Sequence, residues 1–232
     1  MKIGIMQPYF FPYIGYWQLI NAVDIYVIYD DVNFMKKGWI NRNNILINGQ
    51  PKFINLQISK ASQNKLINEI ELLGNETYNA KLLKTIKASY KKAPYYEEVF
   101  PLIKNIIEQD EKNLAKFLAE SIVEISKYLG IKTKFVMSSD IEKNNSLRGQ
   151  DKIIEICKLL NADVYINSIG GRDLYLQKDF HSNGIELKFL KANEIKYKQF
   201  NNEFVPNLSI VDVMMFNATN GVNHFLEEHE LI

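Results

Sequence analysis

Residues 1–31, MKIGIMQPYFFPYIGYWQLINAVDIYVIYDD, carry the pattern that decides the fold. The apolar run KIGIM at 2–6 predicts a first strand, and DIYVIYDD at 24–31, rich in β-branched and aromatic residues, predicts a second, buried strand. Pro8 and Pro12 mark a turn between them, after which a helix can begin. The connection is too long for a hairpin, so we expect parallel neighbouring strands joined by a right-handed crossover.

Two different segments follow this unit. The stretch ILINGQPKFINLQI at 45–58 places Asn48-Gly49 between two apolar runs, which predicts an antiparallel hairpin. From about residue 62 to residue 129 the apolar spacing is helical and is interrupted by glycine and proline, which predicts three helices.

The strand and helix alternation then returns. KTKFVM at 132–137, QDKIIEICKLL at 150–160 and DVYINSI at 163–169 predict a strand, a helix and a strand. IELKFLK at 185–191 predicts one more strand, and a last helix is expected from an N-cap at Asn207 or Ser209.

These patterns predict one α/β domain spanning residues 1–232, since no repeat, low-complexity tract or linker divides the chain. Its core is expected to be a mostly parallel sheet flanked by helices, nucleotidyltransferase-like or Rossmann-like. A β-hairpin insert and a helical subdomain at about 62–129 complete the predicted architecture.

Composition excludes several classes of protein. With 28 basic and 27 acidic residues, the chain lacks the positive excess needed for sequence-independent binding of nucleic acid. Pro8 and Pro12 interrupt the first apolar stretch, so we expect no signal sequence, no membrane insertion and a cytoplasmic location. A single cysteine, Cys157, excludes an intrachain disulfide and a thiolate-rich zinc site, and the apolar helix around it predicts a core position.

Ligands of open parallel sheets bind outside the carboxyl ends of the strands, which selects the loop QPYFFPYIGY after the first strand. Its candidate binding residues are Gln7, Tyr9, Tyr13, Gly15 and Tyr16, with helix amides near Gly15 facing a phosphate. The alternative is that this loop only packs against the core. Nucleotidyltransferases carry HxGH after their first strand, whereas Tyr13 to Tyr16 lacks both histidines, so that chemistry is not carried over.

The segment after the second strand, DDVNFMKKGWINRN at 30–43, combines carboxylates, cations, an aromatic ring and amides. An arginine can bind phosphate through two parallel hydrogen bonds, a tryptophan can stack on a base or sugar, and an aspartate can act as general base. Neighbouring strand residues face opposite sides, so one aspartate is expected to enter the site, with Asp31 favoured. The alternative is a solvated charged loop. No histidine accompanies the carboxylates, so no metal site is predicted. The candidates are Asp30, Asp31, Lys37, Trp39, Asn41, Arg42 and Asn43.

A third loop, INSIGGRDLY at 166–175, offers a phosphate or carboxylate nest, or else an ordinary tight turn. It lacks the third glycine of a dinucleotide fingerprint. Ser138 follows a predicted strand and either donates its hydroxyl or caps a helix. His224 is a further candidate base. The candidates in the third loop are Gly170, Gly171, Arg172 and Tyr175.

Three blocks carry a family resemblance: residues 5–43, SIGGRDLY at 168–175 and FVPNLSIVDVMMFN at 204–217. Together they resemble the WbqC-like family. The resemblance implies a role in gene clusters for O-antigen and related glycans, with transfer of glycine or another acyl group onto an amino sugar. It assigns no catalytic role to any residue. The motif positions are Gln7, Pro8, Phe11, Pro12, Gly15, Tyr16, Asp30, Asp31, Lys37, Trp39, Arg42, Asn43, Gly170, Gly171, Arg172, Tyr175 and Asn207.

The sequence therefore favours a transferase that N-acylates or aminoacylates a nucleotide-linked amino sugar. Asp31 or Asp30 takes the amine proton, and Arg42, Arg172 and the helix at Gly15 hold phosphates. The resemblance leaves the donor open among a coenzyme A thioester, a carrier-protein thioester and an activated amino acid, with an acyl carrier protein as partner in the second case. Two alternatives stay open: a nucleotidyltransferase-like enzyme with a degenerate motif, and a non-catalytic subunit that binds a sugar nucleotide or a carrier.

Overall fold

The computed structural model describes residues 1–74, 76–201 and 203–232. Its strands are β1 (Lys2–Met6), β2 (Ile25–Ile28), β3 (Arg42–Ile47), β4 (Gln50–Asn55), β5 (Ile58–Ser59), β6 (Glu71–Leu72), β7 (Lys134–Met137), β8 (Val164–Ser168), β9 (Glu186–Ala192) and β10 (His229–Leu231). Its α-helices are α1 (Ile14–Asn21), α2 (Glu76–Tyr90), α3 (Tyr96–Glu108), α4 (Leu114–Tyr128), α5 (Gly149–Leu159), α6 (Gln177–Ser182), α7 (Ile210–Phe216) and α8 (Thr219–Glu227). Among these residues, no helix combines the length and apolar character needed to cross a membrane.

The central sheet has six strands in the order β10-β9-β8-β1-β2-β7. Four of its five strand pairings are parallel, and β10 joins β9 antiparallel at the edge. Numbered along the chain, the parallel strands read 3-2-1-4-5, the start of the order found in doubly wound nucleotide-binding sheets. The predicted α/β class with a mostly parallel sheet is confirmed.

The two faces of the sheet carry different helices because alternate side chains of a strand point to opposite sides. In β2, Tyr26 and Ile28 join the buried cluster that contains α1 and α4, whereas Val27 joins the cluster that contains α5 and α6. Helix α1 begins after Pro12, as predicted, and the indole of Trp17 donates to the Pro12 carbonyl oxygen at 3.0 Å.

The predicted hairpin is confirmed as β3 and β4, with Ile47 paired to Gln50 across the turn. Asn48 and Gly49 both adopt positive φ, 52° and 73°, the requirement of a two-residue turn that matches the strand twist.

Three helices also follow, as predicted, but the first begins only at Glu76 rather than near residue 62. The residues before it form the β5–β6 pair and a 3-10 turn at Ile67–Glu69. The backbone amides of Ile67 and Asn68 donate to the carbonyls of Val32 and Asp30, at 2.9 and 3.2 Å. This pairing with the segment after β2 replaces the local helical preference.

At the carboxyl-terminal end, Ser209 is the N-cap of α7, since its hydroxyl accepts from the Val211 amide at 3.2 Å. The predicted helix is confirmed as α7, which ends at Phe216, but it is not the last element, because α8 and the edge strand β10 follow it.

Candidate functional site

A cavity of about 510 Å³ lies at the carboxyl ends of β2 and β7, beside the first turn of α5. This edge of the sheet is where strand-end loops and helix amino termini meet. We call the cavity the cationic cleft, because three cationic side chains and one carboxylate line it. Its lining residues are Tyr29, Asp31, Val32, Asn33, Leu66, Asn68, Ser139, Lys143, Asn145, Arg148, Gly149 and Lys152.

The centre of the cationic cleft is a buried cluster of three charges. The Nζ atoms of Lys143 and Lys152 each lie 2.9 Å from Oδ2 of Asp31. The exposed fractions of these side chains are 1% for Lys143, 6% for Lys152 and 10% for Asp31. Two ammonium groups therefore share one carboxylate away from solvent, which leaves one positive charge without a counter-charge in the cluster. Such a charge is costly to bury, so the cluster is suited to an anionic ligand.

Asp31 is held in its ionised form. Burial raises the pKa of its carboxyl group, but hydrogen bonds from Lys143, Ser138 and Lys152, together with the charge of Lys152, outweigh burial, and the pKa is lower than its ordinary value. A carboxylate of this kind is a weak base and a strong hydrogen-bond acceptor.

Two polar atoms in this region lack a well-formed hydrogen bond to another described residue. Oδ1 of Asp31 and Oγ of Ser138 are buried and make no well-formed hydrogen bond to another described residue, although the Ser138 hydroxyl lies close enough to Asp31 to lower the pKa of its carboxyl group. Buried polar atoms are normally paired, and here the Ser138 hydroxyl and the Asp31 carboxylate only partly satisfy each other. Asp31 Oδ1 is suited to accept from an amine or hydroxyl of a ligand.

The start of α5 adds further positive potential. Arg148 is the N-cap residue, and its side chain accepts no hydrogen bond from the first helical amides. Its guanidinium donates to the carbonyl oxygen of Leu147 at 2.9 Å and lies at the exposed rim of the cleft. Gly149 follows at a φ of 52°, where a residue with a Cβ would be strained.

Tyr29 forms one wall of the cationic cleft. Lys152 Nζ lies 5.2 Å from the centre of its ring. Burial, followed by the charge of Asp31, raises the pKa of the Tyr29 hydroxyl, and Arg148 opposes this effect. Tyr29 is therefore a neutral phenol at physiological pH.

The adjacent aspartates have separate positions, as strand alternation predicts. Asp30 is 1% exposed, and its carboxylate accepts from the Ser139 amide at 3.0 Å and from the Asn68 side chain at 3.2 Å. It joins the loops after β2 and β7 and does not line the cleft. Asp31 does line it.

Other predicted residues surround a second cavity, of about 470 Å³, next to the loop after β1. Tyr9, Tyr13, Trp39 and Asn43 line it. We call it the aromatic pocket. No residue lines both the aromatic pocket and the cationic cleft.

Three predicted residues of the first loop pack against their neighbours. The Gln7 carbonyl oxygen accepts from the hydroxyl of the buried Tyr16 at 3.0 Å. Gly15 is buried, and a Cβ there would stand 2.5 Å from the Tyr13 ring. The structure therefore explains Gly15 by close packing, where the sequence suggested a phosphate-facing helix start.

Arg42, which the sequence predicted to bind phosphate, forms hydrogen bonds within its own loop. Its guanidinium donates to the carbonyl oxygens of Gly38, at 3.1 Å, and Lys37, and its carbon lies 4.4 Å from the Phe53 ring centre. Asn41 donates to the Leu56 carbonyl oxygen at 3.1 Å. These bonds fix the segment that presents Trp39.

The glycine loop after β8 is a 3-10 helix, Ile169–Leu174. A Cβ at Gly171 would overlap the side-chain nitrogen of Asn167, whereas Gly170 has free space around it. Arg172 is exposed, and the Tyr175 hydroxyl lies 3.3 Å from that of Tyr165.

His224 lies far from the strand ends that form the cationic cleft. It is on α8, with its side chain 72% exposed and Nε2 3.4 Å from Glu228. Helix α8 packs against α1, and Glu227 accepts from Asn21, the last residue of α1. That end of α1 leads into the amino end of β2, whereas the cleft lies at the carboxyl ends of the strands. His224 therefore lies outside the cleft.

Sequence reasoning missed Lys143, Arg148 and Lys152. All three lie between the end of β7 and the first turn of α5. Ser138 was selected because ligands bind outside the carboxyl ends of parallel strands, and the same rule applies to the loop that follows it. The basic residues of that loop were the sequence signal that could have identified this part of the site.

The fold and the cationic cleft define an α/β protein with a doubly wound sheet and an anion-suited site at its carboxyl edge. The chain belongs to the WbqC-like protein family, whose model matches residues 7–224. It is also similar to the uncharacterized protein Rv1507c of Mycobacterium tuberculosis (strain ATCC 25618 / H37Rv), with 26% identity over 220 residues and 94% of each chain covered. No solved structure matches the chain.

Proposed function

We propose that the cationic cleft binds the phosphate of a nucleotide-linked amino sugar and that the protein is a transferase. The reaction is transfer of an acyl or aminoacyl group, such as glycyl, to the sugar amine during surface-polysaccharide assembly in the cytoplasm. The observation that carries the proposal is the buried pair of lysines on one carboxylate, with a net positive charge at the carboxyl ends of parallel strands.

We infer the roles of the residues from the charges of the cleft. Lys152, Arg148 and the amides that begin α5 attract the phosphate, because charge-assisted bonds to phosphate are strong and helix amino termini favour anions. Asp31 Oδ1 accepts a hydrogen bond from the amine and orients it.

The proposed donor is a thioester of coenzyme A or of a carrier protein. The amine nitrogen attacks the thioester carbonyl, a C–N bond forms and the C–S bond breaks. The proton lost by the amine leaves with the sulfur as a thiol, so the step balances with no further reactant. The lowered pKa of Asp31 makes an orienting role more suitable than that of the general base predicted from the sequence.

Thermal unfolding with uridine diphosphate and with amino sugars linked to it tests the binding step. A ligand that binds only the native state raises the midpoint of thermal unfolding. At a ligand concentration of a hundred times Kd, it adds about 2.7 kcal/mol to the free energy of unfolding. We expect stabilisation of the wild type, and at least tenfold weaker binding in Arg148→Ala. Lys104→Ala, in an exposed pair with Glu108 on α3, is the matched control and should bind as the wild type does.

Turnover is measured separately, by thiol release and by the mass gain of the amino sugar when both substrates are present. Binding of the nucleotide sugar without turnover of any thioester would reject the transferase and support a binding subunit. Absence of stabilisation by every nucleotide would reject the cleft as a phosphate site.

A further inference from the structure

The aromatic pocket differs in chemistry from the cationic cleft. None of its lining residues carries a charge. The walls are tyrosine, tryptophan, proline and leucine side chains, and the polar groups are amides and hydroxyls. The lining residues are Tyr9, Pro12, Tyr13, Trp39, Asn43, Asn44, Pro51, Pro206, Asn207 and Leu208. An uncharged ligand fits this lining, since a charged one would lose its hydration without gaining a counter-charge.

The pocket also presents polar groups that the described part of the chain leaves unused. The hydroxyls of Tyr9 and Tyr13 and the indole nitrogen of Trp39 have no hydrogen-bond partner among the described residues. The same holds for the side-chain amides of Asn44 and Asn207. These groups are available to a ligand, and they stand among exposed aromatic rings: Tyr13 is 37% and Trp39 44% exposed.

The backbone beside the pocket is held in an uncommon conformation. Phe11 has a φ of 43° and Asn207 a φ of 56°, values that side chains with a Cβ rarely adopt. The buried Asn43 amide donates to the Phe11 carbonyl oxygen at 2.9 Å, and the buried Ser209 hydroxyl donates to the same oxygen at 2.8 Å. Such strain persists only where surrounding bonds enforce it, and it concentrates at ligand sites.

We propose that the aromatic pocket binds an uncharged pyranose ring, as a site separate from the cationic cleft. A pyranose has C–H groups on its faces and hydroxyls around its rim, which match aromatic walls surrounded by amides and hydroxyls. A nucleobase places its polar groups along its edges and buries two flat faces. The five unused polar groups therefore favour the sugar. This inference goes beyond the proposed function, because it requires only that a neutral ring bind here.

Saturation-transfer NMR with neutral methyl pyranosides, N-acetylated sugars and nucleosides tests the proposal on the full chain. We expect millimolar binding of at least one neutral pyranoside and none of the nucleosides. The chain has two tryptophans, and Trp17 is fully buried, so quenching of the exposed Trp39 reports binding at this pocket. Trp39→Ala and Tyr13→Ala should each weaken binding about tenfold.

Met35→Ala is the matched control, because Met35 belongs to the same loop, is 61% exposed and does not line the pocket. It should bind sugar as the wild type does. Arg148→Ala should retain sugar binding while losing nucleotide binding, which separates this inference from the proposed function. No saturation transfer to any pyranoside, equal binding by Trp39→Ala, or preference for a nucleoside would each overturn the proposal.

Discussion

Lys152 is bound twice by Asp31: its Nζ lies 2.9 Å from Oδ2 and 3.2 Å from the backbone carbonyl oxygen. Lys143 binds the same Oδ2, so the one carboxylate orders both lysines. The Asp31 carboxylate therefore holds both lysines of the cationic cleft in place.

Asp31→Asn should destabilise the protein strongly, because it leaves two buried ammonium groups without a counter-charge. Breaking a buried pair in this way costs about 3–5 kcal/mol. Urea unfolding at neutral pH measures the loss. Since the pKa of Asp31 is lowered in the folded state, its contribution is present above the ordinary pKa of an aspartate and is lost as pH falls through the folded pKa. The difference between wild type and variant should shrink on acidification, and a constant difference would contradict this account.

Lys152→Met should have the opposite effect on stability. It removes the excess charge and leaves the Lys143–Asp31 pair balanced, with a side chain of similar length in a buried position. We expect an unchanged or higher free energy of unfolding, by about 1 kcal/mol, together with loss of nucleotide binding. Calorimetry measures both quantities on one sample. A large loss of stability would show that Lys152 is structural.

Much of this architecture could be predicted from local patterns. The unit β1–α1–β2 and the Asn48-Gly49 hairpin follow from strand propensity, proline positions and turn chemistry within a few residues. The helix predicted from about residue 62 failed because Ile67 and Asn68 pair with the distant segment after β2, and no local pattern reports such pairing.

The site was predicted only in part for the same reason. Asp31 was selected because it follows a strand, whereas Lys143 and Lys152 lie more than a hundred residues further along the chain and meet it only in the folded sheet. Arg42 had suitable chemistry, but the Gly38 and Lys37 carbonyls that bind it become neighbours through the loop conformation. Side-chain identity therefore predicted that the site would be cationic, but it did not predict which cationic residues form the site.

The two glycines of the loop after β8 should respond differently to substitution. Gly171→Ala places a methyl group against the side chain of Asn167, which is buried and bound to the Ser168 amide, and should cost about 1–3 kcal/mol. Gly170→Ala meets no atom within 4 Å and is the control, with a change below about 0.5 kcal/mol. Thermal unfolding compares them. Equal stability of the two variants would show that the loop moves aside freely.

Asp212 should make the protein more stable in mild acid relative to an uncharged variant. It is fully buried and forms no ion pair with another described residue, and burial raises its pKa although Tyr197, Tyr90 and Gln199 donate hydrogen bonds to it. A raised folded pKa contributes stability that is complete below the unfolded pKa, about 4, and is lost as pH rises through the folded value. Urea unfolding across this range should therefore show wild type losing stability relative to Asp212→Asn as pH increases. Asp110→Asn, at an exposed loop carboxylate, is the control, and its free energy of unfolding should vary with pH as that of the wild type does. Parallel curves for Asp212→Asn as well would mean that Asp212 titrates alike in the folded and unfolded chain.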